Sequence, residues 1–247
     1  MRIEKFRDLT LVHIDENIIT VLACDSCGGI GLRELDVVKA DYEVLGYFTT
    51  SVVLCELLAF RAKPTIIVNN ICMEMEPSGR LVIDGIKKAA EEIQLNIENM
   101  LTGSTEENMP VKQSGIGITC MGIVDKRTWT IPKTNKNDSL YAIGKPKVGE
   151  EVLKDSMMSN LQVINYLKDK DGINEILPVG SKGISFEVNE LCKCNNLSFK
   201  YLEKIDVDIN KSAGPATCIL VSGDNNLIEK YLGEKNITHS ILGEFGV

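Results

Sequence analysis

The stretch "LTGSTEENMP", residues 101–110, sets Glu106 and Glu107 side by side, after Gly-Ser-Thr and before a proline. Gly, Ser, Thr, Asn and Pro are ordinary turn residues, so taken alone the stretch reads as a solvated loop. What surrounds it gives the loop a place in a fold. Upstream, "LTLVHID" (9–15) and "IITVLACD" (18–25) alternate like strands about a turn at Glu16-Asn17, a hairpin that feeds a glycine loop. "GYFTTSVVLCELLAFRAK" (46–63) has apolar residues at near-3.6 spacing and stops before Pro64, as helices do. "PTIIVNNICMEME" predicts a strand, "SGRLVIDGIKKAAEEIQLN" a second helix and "SGIGITCMGIVDK" (114–126) another strand. This β-β-α-β-α-β order is an α+β, split-βαβ pattern of two layers. Gly115, Gly117 and Gly122 in the last strand suggest close packing or barrel curvature.

"WTIPKTNKNDSLYAIGKPKVGEEV" has the Lys, Asn and Pro density of a surface connection and sets a boundary, with one domain over 1–135 and a second over 136–247. In the second half "EEVLKDSMMSNLQVINYLKD" reads as helix. "SKGISFEVNELCKCNNLSF" gives helix then strand, and "ATCILVSGDNNLIEKYLGEKNITHSILGEF" strand, helix, strand. This half is expected to be a smaller strand-helix layer.

With 247 residues, 44% of them hydrophobic and 25% charged, the chain has the composition of a folded globular protein. "SVVLCELLAF" (51–60) is about half a bilayer span and carries Glu56. "MRIEKFRDLT" lacks the apolar stretch of a secretory signal. Both point to a cytoplasmic protein without a membrane partner. A net charge of −8 with no basic stripe argues against nucleic acid. Eight cysteines without a signal read as reduced thiols. Cys24-x-x-Cys27 and Cys192-x-Cys194 are too far apart for a compact zinc knuckle. His13 and His239 lie in apolar-alternating segments and read as structural.

Asp8, Asp25, Glu56 and Glu106 fall at element ends, in loops or within the first helix. If they converge, two carboxylates ~4 Å apart repel by about 4 kcal/mol at an effective dielectric of 20, a cost that a cation or a raised pKa must absorb. Oxygen ligands without histidine favour Mg²⁺ or Ca²⁺, and Mg²⁺ combines one or two carboxylates with substrate phosphates. No GxxxxGK[ST] occurs, and no GxGxxG joins a strand to a helix. "CDSCGGIG" (24–31) is a weak glycine loop, readable as a turn that needs positive φ.

In order, "RDLTLV", "LACDSCGG", "VLCELLAFRAKP", "TGSTEENMP", "GPATCILVSG" and "ILGEF" resemble the motifs of the aminoimidazole-ribonucleotide-synthetase-like (PurM-like) superfamily over nearly the whole chain. The resemblance implies an N-terminal domain that dimerises through its sheet into a barrel, a smaller α/β C-terminal domain, bound ATP and Mg²⁺. Carried over by position, Asp8, Asp25, Glu56 and Glu106 would hold metal. Gly28, Gly29, Gly103, Ser104, Thr105 and Asn108 would line the nucleotide, and Asp25 and Glu106 would be catalytic. Cys55-Glu56 stands where many members have Asn-Asp, and Thr105 where the loop usually has glutamate.

The chain departs from several members of that group. It has no reactive N-terminal cysteine like that of selenophosphate synthetases. It ends "GEFGV" rather than in the modifiable cysteine of the hydrogenase-maturation protein, and has Ile30 where aminoimidazole ribonucleotide synthetases carry lysine. "ACDSCGGIG", "MEMEPSGR", "TGSTEEN" and "GKPKVGEEV" look most like α-ribazole kinase. The expectation is a homodimeric, ATP-dependent kinase that phosphorylates the ribosyl hydroxyl of α-ribazole in cobamide lower-ligand salvage. The alternatives are an enzyme like thiamine-monophosphate kinase or aminoimidazole ribonucleotide synthetase, or a non-catalytic nucleotide-binding subunit.

Overall fold

The computed structural model describes residues 1–154 and 159–246. The chain forms two units, one of Met1–Leu57 with Ala62–Trp129 and one of Leu58–Arg61 with Thr130–Val247. In the first, strands β1 (Arg2–Phe6), β2 (Leu9–His13) and β3 (Ile18–Gly28) form a meander. A short parallel pair, β4 (Ile30–Gly31) and β5 (Val38–Lys39), then leads to helix α1 (Tyr42–Ala59). Strand β6 (Lys63–Ile71), helix α2 (Arg80–Glu92), strand β7 (Leu101–Thr105) and strand β8 (Gly115–Asp125) complete the unit.

The main sheet runs β1-β2-β3-β8-β6-β7. It is open, with β1 and β7 at its edges, and no closed barrel forms among the described residues. One face is apolar and buried, with Ile19, Val21 and Ala23 of β3, Ile116, Ile118 and Cys120 of β8, and Ile67 and Ile71 of β6. The alternate residues of the same strands stand on the other face and remain partly exposed, as the two-residue side-chain period requires.

α1 is long and apolar enough to cross a membrane by length and composition, yet 67% of that window is buried inside the protein, as in a core helix. It meets α2 backbone to backbone. A Cβ on Gly46 would sit 2.0 Å from the Val82 carbonyl oxygen, and one on Gly85 would sit 2.0 Å from that of Glu43, so glycine at both positions lets the two helices touch.

The expected hairpin, helices and strands of this half are present, with ends shifted by a few residues. Two departures concern the site. β1 was not anticipated, and "LTGST" is an edge strand parallel to β6, not a loop. Glycine and hydroxyl residues in "LTGST" hid a strand that tertiary pairing stabilises.

In the second unit a sheet of order β10-β12-β9-β13-β11 is built from β9 (Ser139–Gly144), β10 (Ile173–Pro178), β11 (Ser198–Tyr201), β12 (Cys218–Gly223) and β13 (His239–Gly246), with helices α3 (Asn160–Leu167), α4 (Ile184–Asn195) and α5 (Asn225–Glu234). The segment expected to be a surface connection contains β9, the central strand, whose Leu140, Tyr141, Ala142 and Ile143 are buried. Polar flanks masked a short apolar core strand. Of the helix expected over 150–169, Gly149–Lys154 is a 3₁₀ turn and Asn160–Leu167 is α-helical. Residues 155–158 of that expectation lie outside the described residues.

Candidate active site

β3 and β6 both run antiparallel to β8, and β7 runs parallel to β6. The carboxyl ends of β3, β6 and β7 therefore share one end of the sheet with the start of β8. Three connections meet there, 29–41, 72–79 and 106–114, and hydrogen bonds lock them together. The backbone N–H groups of Gly29 and Leu35 donate to Ser114 and Lys112 carbonyls, and that of Glu106 to Met73. The buried Asp36 carboxylate accepts from Ser114 N (2.8 Å), Ser114 Oγ (2.7 Å) and Arg33 N (2.8 Å). Arg33 pairs with Glu74 and donates from Nη1 to the Val111 carbonyl at 2.9 Å. Glu74 also accepts from Ser78 Oγ at 2.6 Å.

Burial pushes the Asp36 carboxyl up, but the Ser114 and Arg33 hydrogen bonds outweigh it and hold the pKa below the usual range. A carboxyl lowered in the folded state stabilises fully above its unfolded value of about 3.9, and that contribution is lost as pH falls through the lower folded value. Asp36→Asn should therefore flatten the acid limb of the stability curve below about pH 4, measured as urea midpoints against pH. An unchanged limb would show that Asp36 does not tie these loops.

Asp25 sits near the end of β3 on the helix-facing side, in one row across the sheet with Ile118, Asn69 and Gly103. Burial raises its pKa, opposed only by the Ser26 N–H. Two residues on, burial and then the Asp25 charge push the Cys27 thiol up to about 11, so it stays protonated at neutral pH. Gly29 has φ +72°, the positive φ expected of the glycine loop. Gly28 pairs with Gly115 within the sheet.

The other expected residues are arranged differently. Asp8 is in the exposed β1–β2 turn. Two residues on, Thr10 pairs with Leu22, which puts the turn toward the Asp25 end. Glu56 precedes Leu57, whose side chain reaches Gly122 near the far end of β8. A straight helix that starts at the site end carries Glu56 away from it. Among the described residues no group of three or more His, Cys, Asp or Glu is placed to hold a metal ion.

Gly103 lies against Asn69, and a Cβ there would stand 2.4 Å from Asn69 Oδ1. Its glycine thus serves strand packing. Strand alternation turns Ser104 and Thr105 to opposite faces, and Thr105 Oγ1 donates to Glu107 at 2.8 Å.

Glu106 Oε1 accepts from the N–H groups of Asn108 (2.7 Å) and Met109 (3.2 Å). Those bonds, with a further one from the Asn108 side chain, lower its pKa. The two expected catalytic carboxylates are thus shifted in opposite directions, Asp25 upward by burial and Glu106 downward by its hydrogen bonds. Glu107 accepts from Met75 N at 2.8 Å as well as from Thr105, so it joins β7 to the 72–79 connection. The sequence reading missed Arg33, Asp36, Asn69, Glu74 and Ser114. A paired Asn69-Asn70 inside an apolar strand was the one signal available for them.

The oxygen donors suit a Mg²⁺–nucleotide in one respect. Asp25 is a half-buried carboxylate with no basic side chain paired to it among the described residues, and Mg²⁺ on a nucleotide needs only one or two protein carboxylates.

Over 99% of its length and 88% of the other chain, the protein superposes on the thiamine-monophosphate kinase from Stenotrophomonas maltophilia K279a with a TM-score of 0.67 at 12% identity. The chain has the PurM-like fold. Two more PurM-like structures agree. AaThiL complexed with AMPPCP and TMP gives a TM-score of 0.63 at 15% identity, covering 97% of this chain and 84% of that one. The E. coli hydrogenase maturation protein HypE gives 0.65 at 14% identity, covering 91% and 79%. No protein-family model and no curated protein sequence matches the chain.

Proposed function

We propose that this PurM-like protein is a cytoplasmic ATP-dependent kinase that transfers a phosphoryl group from Mg-ATP to the ribosyl hydroxyl of α-ribazole. The observation that carries the reading is the cluster of three cross-linked loops at the end of the sheet where Asp25 lies, in a fold that one neighbour uses to bind AMPPCP and TMP. Phosphoryl transfer asks the protein for positioning and charge neutralisation more than for covalent chemistry. A bound Mg²⁺ supplies much of that neutralisation at the phosphate oxygens. Asp25 is the carboxylate that would hold it or, free of metal, take the acceptor's hydroxyl proton. Asp36, Glu107 and Ser114 fix the loops, and Glu106 with Asn108 shapes the exit of β7. Likeness to a thiamine-monophosphate kinase favours one second reading, with thiamine monophosphate as acceptor. A thermal-shift screen tests both. With Mg-AMPPCP present, α-ribazole should raise the melting temperature further and thiamine monophosphate should not. The reverse ranking would establish the second reading, and no shift with Mg-AMPPCP itself would remove the kinase reading.

Glu106→Gln should reduce turnover by about tenfold or more, since it weakens the charge and bonds that set the loop. Glu107→Gln keeps an acceptor oxygen for Met75 and Thr105 and should change turnover little. Equal activities in the two variants would make the loop a plain solvated turn.

The reading also carries a homodimer. On the sheet face away from the helices, Leu22, Met121 and Ile66 form one cross-strand row. Nearby, Ile123 is 38% and Ile3 63% exposed, an apolar patch that a second copy would cover. Light scattering should give twice the chain mass, and a monomer at every concentration would contradict this.

A further inference from the structure

We propose that Arg33 is the phosphate-binding residue of this site and that Glu74 keeps its place until a polyphosphate arrives. The inference rests on the nucleotide reading above. The three loops at the carboxyl ends of β3, β6 and β7 carry many carboxylates, Glu34, Asp36, Glu74, Glu76, Glu106 and Glu107 among them. A triphosphate entering there needs cations, and those loops supply only Arg33, Lys39 and Lys112. Lys112 is exposed and 3.5 Å from Glu34, and Lys39 Nζ is bound to the Arg33 carbonyl at 2.6 Å. Arg33 is the one guanidinium, with its side chain only 19% exposed.

Its own loop and the 106–114 connection hold it in place, through Arg33 N on Asp36 and Nη1 on the Val111 carbonyl. Nε is buried with no hydrogen-bond partner. The planar guanidinium fork suits a carboxylate and a phosphate equally, and here its charged partner is Glu74, on the neighbouring connection. Glu74 does not depend on Arg33 alone, because Ser78 Oγ donates to its other oxygen. A phosphate can therefore replace the carboxylate at Nη2 without leaving Glu74 bare, and the bonds to Asp36 and Val111 still aim the fork.

Opposite effects of two variants test the exchange. Binding of Mg-AMPPCP and of inorganic tripolyphosphate is measured by calorimetry on the full chain, with urea midpoints for each variant. Glu74→Gln removes the competing charge and should tighten both ligands about threefold to tenfold, while Arg33→Lys keeps the charge, loses the fork and should weaken both about tenfold. A purely structural ion pair would make both variants bind more weakly, or leave both unchanged, and either result overturns the proposal. So does a wild type that binds tripolyphosphate no better than Arg33→Ala. These readouts need no turnover. Loss of phosphoryl transfer to every acceptor would remove the kinase reading while the opposed shifts stood.

Discussion

Asparagine at position 25 is expected to lower phosphoryl transfer by about a hundredfold to a thousandfold while leaving the protein at least as stable as the wild type. The two halves of this result have one cause. Burial raises the Asp25 pKa, so at neutral pH its ionised form carries a desolvation cost that destabilises the fold. An amide of the same shape removes that cost, and it also removes the charge that would hold a cation and the base that would take a proton. For a carboxyl raised in the folded state, the stability penalty appears as pH rises through the folded value, so the advantage of Asp25→Asn should grow from acid toward neutral pH. Urea midpoints at several pH values and a steady-state transfer assay check both halves. A variant that is less stable and fully active would assign Asp25 to packing.

The second large effect concerns the scaffold. Gly46→Ala should lower the melting temperature by about 5 °C, a net loss of about 2 kcal/mol. Alanine is worth about 1 kcal/mol more than glycine in a helix. The added methyl, however, would sit 2.0 Å from the Val82 carbonyl oxygen, a backbone atom that no rotamer change can move. Overpacking of that kind costs about 3 kcal/mol at its upper end, so the clash wins. Gly233 in α5 is the internal control. It has nothing within 4 Å of an added Cβ, and Gly233→Ala should raise stability by up to about 1 kcal/mol. If both substitutions stabilise, the close α1–α2 crossing is wrong.

Periodicity made much of this fold legible. The β2–β3 hairpin, α2 and β8 carry regular apolar patterns whose period depends on burial alone, and all three stand where their residues predict. β7 and β9 did not, because a strand five or six residues long holds too few periods to outweigh a glycine, a serine or flanking lysines. The site was legible in types more than in positions. Asp25 and the positive φ of Gly29 follow from a strand running into a glycine loop. Glu56 was misplaced because a helix-borne acid can point to either end of a sheet, and only the packing of Leu57 on Gly122 decides which. Asp36 is tied to Ser114, and Arg33 to Val111, each across 78 residues of sequence, and no local pattern reports such pairing.

Transfer of the γ-phosphoryl group can be followed with labelled ATP. The protein is incubated with Mg²⁺ and γ-labelled ATP, with α-ribazole and thiamine monophosphate offered as separate acceptors, and the products are resolved by chromatography. Label is expected on the ribosyl hydroxyl of α-ribazole, abolished by chelator and by Asp25→Asn. Intact ATP and unlabelled acceptors in every tube would contradict it.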